Sequence, residues 1–158
     1  MADASSRPYL SRMKLQTEDA LRVLSALGFR GRDVYLAELI PAVEMAWADD
    51  VVQPNERAML EVYCEDLVER LNQQAESAFF SVNRAKALLD VLTRRRLLPA
   101  ERQAALYALQ AWSGLTLNGA QMRKRMVEWA EAVAAVDGSP VWDARELLWL
   151  EEMKRKLT

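Results

Sequence analysis

The sequence predicts an all-α protein, a single compact domain of about seven helices. Apolar residues recur at helical spacing along most of the 158 residues, and only 5 glycines and 5 prolines interrupt them. No segment shows the sustained alternation of apolar and polar residues that is typical of strands. The hydrophobic content of 51% allows a chain of this length to form a core without disulfides or a structural metal.

The chain divides into a short arm and one domain. Residues 1–15 are polar and contain Pro8, a helix breaker, so we expect them to form a flexible N-terminal arm. Residues 16–158 carry the helical periodicity and contain no linker-like stretch. We therefore assign them to one helical domain.

The first two helices are predicted from their capping residues. Thr17 can cap a first helix, which should end at Gly28. Asp33 can cap a second helix. Pro41 lies inside the apolar periodicity of this second helix, so we expect either a kink there or a short break followed by a new turn.

Five further helices follow, and each has a recognisable start. Proline at the first helical position loses no hydrogen bond that a helix needs, and serine and asparagine are good N-caps. The starts are expected at Pro54, Ser81, Pro99, Asn118 or Gly119, and Ser139-Pro140. The third helix should bury Leu60, Tyr63, Cys64, Leu67 and Leu71.

The composition excludes several classes of site. The chain contains no histidine and one cysteine, so serine–histidine and cysteine–histidine catalysis is excluded, as are zinc sites built on histidine or on several thiolates. Cys64 itself is expected to be a core residue. The net charge is −2, which gives no overall attraction to nucleic acid, and no stretch approaches the ~20 apolar residues that span a bilayer. We expect a cytoplasmic protein that neither binds nucleic acid nor inserts into a membrane.

Two basic clusters and two tryptophans have a plain structural explanation and a functional one. Residues 94–96 are three arginines that would favour a helix C-terminus, and residues 123–125 are expected to form a solvated helix face. Either cluster could instead hold a phosphate or an acidic partner. Trp142 and Trp149 do not both fit the inward face of the last helix, so one of them is expected either at the surface, as a docking residue, or covered by a neighbouring helix.

One pattern occurs twice: residues 132–148 repeat the arrangement of residues 44–60. In both copies an acidic residue ends one helix, and a polar residue and an arginine open the next. The polar matches align Asp49 with Asp137, Asn55 with Asp143 and Arg57 with Arg145. We therefore expect two acidic helix hairpins related by a pseudo-twofold axis.

The hairpin acids are the candidate site. A carboxylate where a helix ends is destabilised by the helix dipole, so Asp49, Asp50 and Asp137 should each have a compensating partner. In one interpretation they accept hydrogen bonds from the N–H groups that open the next helix. In the other they converge with Glu56 and Asp143 on a divalent cation. Carboxylates are hard oxygen ligands and favour calcium or magnesium over zinc.

The hairpin sequences resemble a known family. The first motif reads Ala48-Asp49-Asp50-Val51-Val52-Gln53-Pro54-Asn55-Glu56-Arg57, and Val136-Asp137-Gly138 is similar to its second copy. Both resemble the motif of the TerB-like family, which is named for a bacterial tellurite-resistance protein. The resemblance covers most of residues 17–157. It implies a compact helical domain, a divalent-metal site at the grouped hairpin acids, and a role in bacterial stress response, but no known reaction.

The chain departs from the family pattern at two positions. Asp50 stands where the first copy would have glycine, although aspartate tolerates the left-handed conformation better than most residues. Ala144 stands opposite Glu56 in the second copy, which leaves Asp143 as the nearest carboxylate. A site made by both halves would have fewer ligands here.

These observations lead to a non-enzymatic function. We expect a bacterial accessory or scaffold protein of a stress or defence system, with other proteins as partners and a divalent cation at the hairpins. The alternative is a protein-interaction adaptor whose hairpin acids are purely structural. An acid–base hydrolase is a weaker third class, because no nucleophile or phosphate loop accompanies the acids.

Overall fold

The computed structural model describes residues 18–116, 118–136 and 144–157, and it confirms the all-α class. These residues form seven α-helices, two 3-10 helices and no strand. The α-helices are α1 (18–26), α2 (Ile40–Ala46), α3 (Pro54–Ala75), α4 (Val82–Arg94), α5 (Pro99–Ser113), α6 (Gly119–Ala135) and α7 (Ala144–Leu157). The 3-10 helices are η1 (Gly31–Leu39) and η2 (Trp47–Asp49). The expected arm, the Thr17 cap and the Ser139-Pro140 start lie outside the described residues.

The end of α1 is the predicted glycine stop. Gly28 has a φ of +103°, which a residue with a side chain rarely adopts. Its N–H donates to the carbonyl of Ser25 at 3.0 Å, and the N–H of Phe29 donates to the carbonyl of Leu24 at 2.9 Å. These bonds satisfy the last carbonyls of α1 and turn Phe29 into the core.

The predicted second helix is divided, as Pro41 suggested. η1 runs to Leu39, and α2 starts at the next residue with Pro41 in its first turn, where no intrahelical N–H bond is lost. The predicted Asp33 cap is wrong. Asp33 lies inside η1 and accepts two hydrogen bonds from the Arg84 guanidinium, at 2.8 and 3.0 Å, which tie η1 to α4.

Helix α2 is the centre of the molecule. All seven of its residues are buried, and it packs most extensively against α6 and also against α3, α4, α5 and α7. A helix that is enclosed on every side has no solvent-facing stripe, so a charged residue within it is unusual. Glu44 is that residue.

The starts of α3, α4, α5 and α6 agree with the sequence. The side chain of Glu56 caps α3, Ser81 Oγ accepts from the N–H of Arg84 at the start of α4, and Glu101 accepts from the N–H of Leu98 at the start of α5. Each local bond satisfies a backbone donor that a helix start leaves unpaired. The predicted stripe of α3 is confirmed at Leu60, Tyr63, Cys64 and Leu67, whereas Leu71 is only half-buried.

Helices α5 and α6 meet at a corner that requires glycine. A Cβ atom on Gly119 would lie 1.8 Å from the carbonyl oxygen of Ser113, far inside van der Waals contact. The corner is closed by a hydrogen bond of 3.1 Å from Arg123 to the hydroxyl of Ser113. None of the helices in the described ranges is long and apolar enough to cross a membrane.

Candidate functional site

The first acidic hairpin is formed by η2, a turn at Asp50 and the start of α3. Asp50 adopts the left-handed conformation, with a φ of 66°, although it is not a glycine. Its N–H donates to the carbonyl of Trp47 at 2.8 Å. Its carboxylate forms an ion pair with Arg96, from the loop between α4 and α5. The aspartate therefore both closes the turn and links it to a second loop.

Glu56 takes part in the helix start. Its side chain is 2% exposed, and its Oε1 accepts a hydrogen bond of 2.8 Å from the N–H of Gln53. This is the reciprocal half of a capping box, in which the third helical residue reaches back to the N-cap. The carboxylate is thus held by the backbone of its own hairpin.

The five predicted site residues are not all described. The backbone of Asp49 ends η2, but its side chain lies outside the described part of the structure, as do Asp137 and Asp143. Asp50 and Glu56 do not fit a cation site by themselves, because one faces a guanidinium group and the other a backbone N–H. Within the described ranges, no group of three or more His, Cys, Asp or Glu side chains is placed to hold a metal ion.

The second hairpin is described only by its two helices. Helix α6 ends at Ala135 and α7 begins at Ala144, and the two helices pack together. The turn between them lies outside the described residues, so the pseudo-twofold pairing of the hairpins stays a prediction.

A cavity of about 280 Å³ lies beside the first hairpin and contains a buried acid that the sequence analysis missed. Glu44 is 1% exposed, and neither of its carboxylate oxygens has a hydrogen-bond partner. The backbone of Leu97 faces this carboxylate and favours its ionised form without meeting hydrogen-bond geometry. Burial raises the pKa of Glu44 to about 7, against the opposing charges of Arg102 and Arg96. The sequence feature that could have identified this buried acid is the position of Glu44 within the apolar run of α2.

Trp149 lines the same cavity, and its burial decides between the surface position and the covered position that the sequence left open. Its side chain is buried, with the Arg102 guanidinium carbon 4.8 Å from the centre of its ring. The final helix is therefore covered by its neighbours at this position, and Trp149 is not a surface docking residue. Trp142 lies outside the described residues.

Leu148, which lines this cavity, is a large exposed aliphatic residue. Two more, Val51 and Leu98, lie within two residues of the Asp50–Arg96 ion pair. Val51 is 54% exposed, Leu98 61% and Leu148 67%. Val51 follows Asp50 in the hairpin turn, Leu98 lies two residues after Arg96, and Leu148 lines the cavity with Arg96. We call this surface the hairpin face and define it by Val51, Arg96, Leu98 and Leu148.

A second cluster of buried charge lies at the junction of η1, α3 and α6. The Glu38 side chain is 3% exposed, and its Oε2 accepts a hydrogen bond of 2.7 Å from the Tyr63 hydroxyl. Arg125 Nη2 lies 3.5 Å from Glu38 Oε1, and Arg70 Nη2 lies 3.7 Å from Oε2. The Tyr63 ring stacks on Trp129 with 4.6 Å between the ring centroids, which fixes its hydroxyl.

Burial is the main influence on the pKa values of Glu38 and Tyr63 in this cluster. Burial raises the pKa of Glu38, while the Tyr63 hydrogen bond and the two arginines oppose that shift. Burial also raises the pKa of Tyr63 well above its usual value, so the phenol stays protonated and donates. Arg70 Nε also donates to Asp66 at 2.9 Å, so the two guanidinium groups face two carboxylates and their charges balance.

The arginines of the 123–125 cluster make more contacts with neighbouring elements than the sequence predicted. Within residues 123–125, Arg123 reaches Ser113 and Arg125 reaches Glu38, and both side chains are half-buried. The predicted solvated face is therefore wrong for these two arginines, because their long side chains cross to neighbouring helices. Only Lys124 of this cluster is exposed.

In the other cluster, two arginines reach acids on neighbouring elements. Arg95 pairs with Glu101 at 3.0 Å, and Arg96 pairs with Asp50. Arg94 ends α4, where its charge favours the helix dipole as expected.

Comparison with known proteins identified no relative of this chain. No family model matches the chain, and neither a curated protein nor a solved structure shows significant similarity to it.

Proposed function

We propose that this chain is a non-enzymatic adaptor that binds another protein through the hairpin face. The observation that carries the proposal is the exposure of Leu148 at one small cavity and of Val51 and Leu98 beside the Asp50–Arg96 ion pair. Single exposed aliphatic residues are common on protein surfaces, but a group of them on adjacent loops and a helix is typical of a docking site. The TerB-like resemblance adds the expectation of a bacterial stress or defence system.

The charges of the face indicate the chemistry of the partner. Asp50 and Arg96 neutralise each other, and Arg102 and Glu152 line the cavity with opposite charges. A face with balanced charge gives little long-range attraction, so apolar contact supplies the binding free energy. The partner should present apolar side chains, as an amphipathic helix does.

A binding role fits the described side chains better than a catalytic one. The sequence has no histidine, and burial raises the pKa of the Cys64 thiol to about 12. A thiol with that pKa is almost entirely protonated at neutral pH and is a poor nucleophile.

A divalent cation at the hairpins is the second proposal, and it rests on the family resemblance. Asp50 and Glu56 have other partners, so the cation would depend on Asp49, Asp137 and Asp143. Calcium or magnesium fits such a set of carboxylates better than zinc.

Site-specific photo-crosslinking in the cells that make the protein tests the adaptor proposal. A photoreactive amino acid placed at Leu98 or Leu148 should join the chain to a discrete second protein. The control position is Val62 on α3, which is exposed to a similar degree at 51% and is not part of the hairpin face. Replacing Val51 with serine should reduce the Leu98 crosslink while leaving the melting temperature nearly unchanged, since the side chain is exposed.

Equal crosslinking at Leu98 and Val62 would contradict the proposal, because the face would then be no more occupied than ordinary surface. Absence of any discrete product at Leu98 and Leu148 would contradict it as well.

A further inference from the structure

Four aromatic side chains form a continuous row that no single element of the chain contains. Phe79 and Phe80 come from the loop between α3 and α4, Tyr35 from η1 and Trp112 from α5. The ring centroids are 5.4 Å apart from Phe79 to Phe80, 5.9 Å from Phe80 to Tyr35 and 5.5 Å from Tyr35 to Trp112. We call this row the aromatic face and define it by these four residues.

The aromatic face is accessible to solvent. Phe79 is 51% exposed and Tyr35 43%, while Phe80 and Trp112 are half-buried. Leu115, which shares a cavity with Tyr35 and Trp112, is 44% exposed. Aromatic residues are enriched in protein interfaces, and a contiguous exposed group of them is typical of a binding surface.

Two cavities adjoin the row. One, of about 500 Å³, has Tyr35, Trp112 and Leu115 in its wall. The other, of about 480 Å³, has Phe79 and Phe80 in its wall. Because the rings of Tyr35 and Phe80 are in contact, the two cavities are neighbours, and side chains of one short peptide segment can enter both.

The second cavity carries positive charge that the described residues do not neutralise. Its charged lining residues are Arg30, Arg32, Asp33 and Arg84. Asp33 already accepts two hydrogen bonds from Arg84. Arg30 and Arg32 each donate to a backbone carbonyl, and within the described residues neither has a carboxylate partner. Both side chains are exposed, so their remaining N–H groups are accessible to a ligand.

Arg32 joins this charge to the aromatic face. Its guanidinium carbon lies 4.0 Å from the centre of the Phe79 ring, and its Nη1 donates to the carbonyl of Phe79 at 3.3 Å. A group that is already held by its neighbours loses less conformational entropy on binding. Guanidinium groups bind carboxylates through charge-assisted hydrogen bonds, so this end of the face favours an acidic ligand.

We propose that the aromatic face binds an acidic segment of a second protein, in which apolar side chains lie next to carboxylates. The apolar side chains pack against Tyr35 and Trp112, and the carboxylates face Arg30 and Arg32. Aromatic anchors beside arginines are the composition of strongly binding positions in protein interfaces.

Two other occupants match the charge of the face less well. Nucleic acid binds through many phosphate contacts, whereas Arg30 and Arg32 offer few and the net charge of the chain is −2. Residues 1–17 of the same chain carry Arg7, Arg12 and Lys14 against Asp3, so the arginines would repel this segment.

The aromatic face is separate from the hairpin face. Ser81 and Arg84, at the start of α4, line the cavity with the arginines, whereas Arg96 of the hairpin face follows the end of α4. This helix has 13 residues and is therefore about 20 Å long. A second binding surface at that distance goes beyond the proposed hairpin interaction, because it allows the chain to hold two proteins at once.

Selection from a displayed library of random peptides, with the full chain as bait, tests the proposal. The enriched peptides should contain aspartate or glutamate next to aromatic or aliphatic residues. Synthetic copies, measured by fluorescence polarisation, should bind more weakly as the salt concentration rises, because the arginines contribute to binding. Val51→Ser, in the hairpin face, should leave their affinity unchanged.

A charge reversal locates the acidic part of the interaction. Arg30→Glu combined with Arg32→Glu should weaken binding of the selected peptides by at least about tenfold. Lys124→Glu combined with Arg155→Glu makes the same change in net charge at exposed positions on α6 and α7, and should change binding by less than about twofold.

A truncation locates the apolar part. Phe79→Ala should also weaken binding by at least about tenfold. Tyr107→Ala is the control, because Tyr107 is exposed to a similar degree, at 54%, and is not part of the aromatic face. Melting curves of all these variants verify that each remains folded.

A selection that enriches no acidic peptides would overturn the proposal, as would equal peptide binding by the two charge-reversed proteins or by Phe79→Ala and Tyr107→Ala. Single-stranded DNA of mixed sequence that binds more tightly than the peptides, and is lost on reversal of Arg30 and Arg32, would assign the face to nucleic acid instead. Displacement of the peptides by a synthetic peptide of residues 1–17 would assign it to the chain's own N-terminal segment. A wild-type dimer that Phe79→Ala dissociates would assign it to a second copy of the chain.

Discussion

At the scale of single residues, the central acid Glu44 is the most unusual feature of the molecule. It lies in a fully enclosed helix, and neither carboxylate oxygen has a hydrogen-bond partner. Transfer of an ionised carboxylate into such a place is costly, so the folded state favours the protonated form. This cost makes the stability of the protein depend on pH.

The pH dependence has a definite sign. The folded-state pKa is raised from 4.5 to about 7, so between these values the folded protein binds more protons than the unfolded chain. The contribution is fully present below pH 4.5 and is lost as the pH rises through 7. A shift of this size corresponds to about 3 kcal/mol.

We predict that Glu44→Gln removes this dependence, because glutamine resembles the protonated acid. In urea denaturation the variant should gain about 3 kcal/mol over the wild type between pH 4.5 and 8. Glu151→Gln, which removes an exposed carboxylate from α7, is the control and should follow the wild-type pH curve. A constant difference between Glu44→Gln and wild type over that interval would contradict the assigned shift.

At the scale of elements, local chemistry explains where most helices begin and end. Pro54, Ser81 and Pro99 mark helix starts, and Gly28 marks an end, because each changes the hydrogen bonds available to its own backbone. The sequence therefore predicted these boundaries. Asp33 has the same local chemistry as a cap, but its acceptor oxygen meets Arg84, from an element far along the chain.

Gly119 shows how one element constrains another. We predict that Gly119→Ala destabilises the protein by at least about 2 kcal/mol, because the added Cβ would overlap the Ser113 carbonyl and push α6 away from α5. Gly114→Ala is a suitable control, since its Cβ would lie 3.4 Å from the nearest atom in a helical backbone. Thermal denaturation of both variants measures the difference, and equal melting temperatures would show that the corner is not as closely packed as the structure indicates.

At the scale of the whole molecule, helices α3 to α7 pack around α2, and the first acidic hairpin follows α2 directly along the chain. The cation proposal makes a prediction at this scale, because a ligand that binds only the folded state raises the melting temperature. Calcium or magnesium should then stabilise the wild type. Asp49→Asn combined with Asp137→Asn should stabilise the metal-free protein, by removing like-charge repulsion, and should abolish the effect of the cation.

The structural interpretation of the same acids predicts a different result. Each substitution should then cost about 0.5 to 2 kcal/mol or less, since asparagine can still accept a capping hydrogen bond. Melting curves of both proteins, recorded with chelator and with millimolar cation, distinguish the two cases. A wild-type curve that does not respond to any divalent cation would leave the hairpin acids with a structural role alone.

The sequence by itself determined the helical class, most helix boundaries and the core positions of Cys64 and the α3 stripe, because these depend on periodicity and on chemistry within a few residues. It also singled out the first hairpin. Only the tertiary structure decided which partners the charged residues have: Asp50 with Arg96, and Glu38 with Tyr63 and two arginines. Those partners come from distant parts of the chain, and a side chain's burial, pKa and available hydrogen bonds depend on what packs against it in three dimensions.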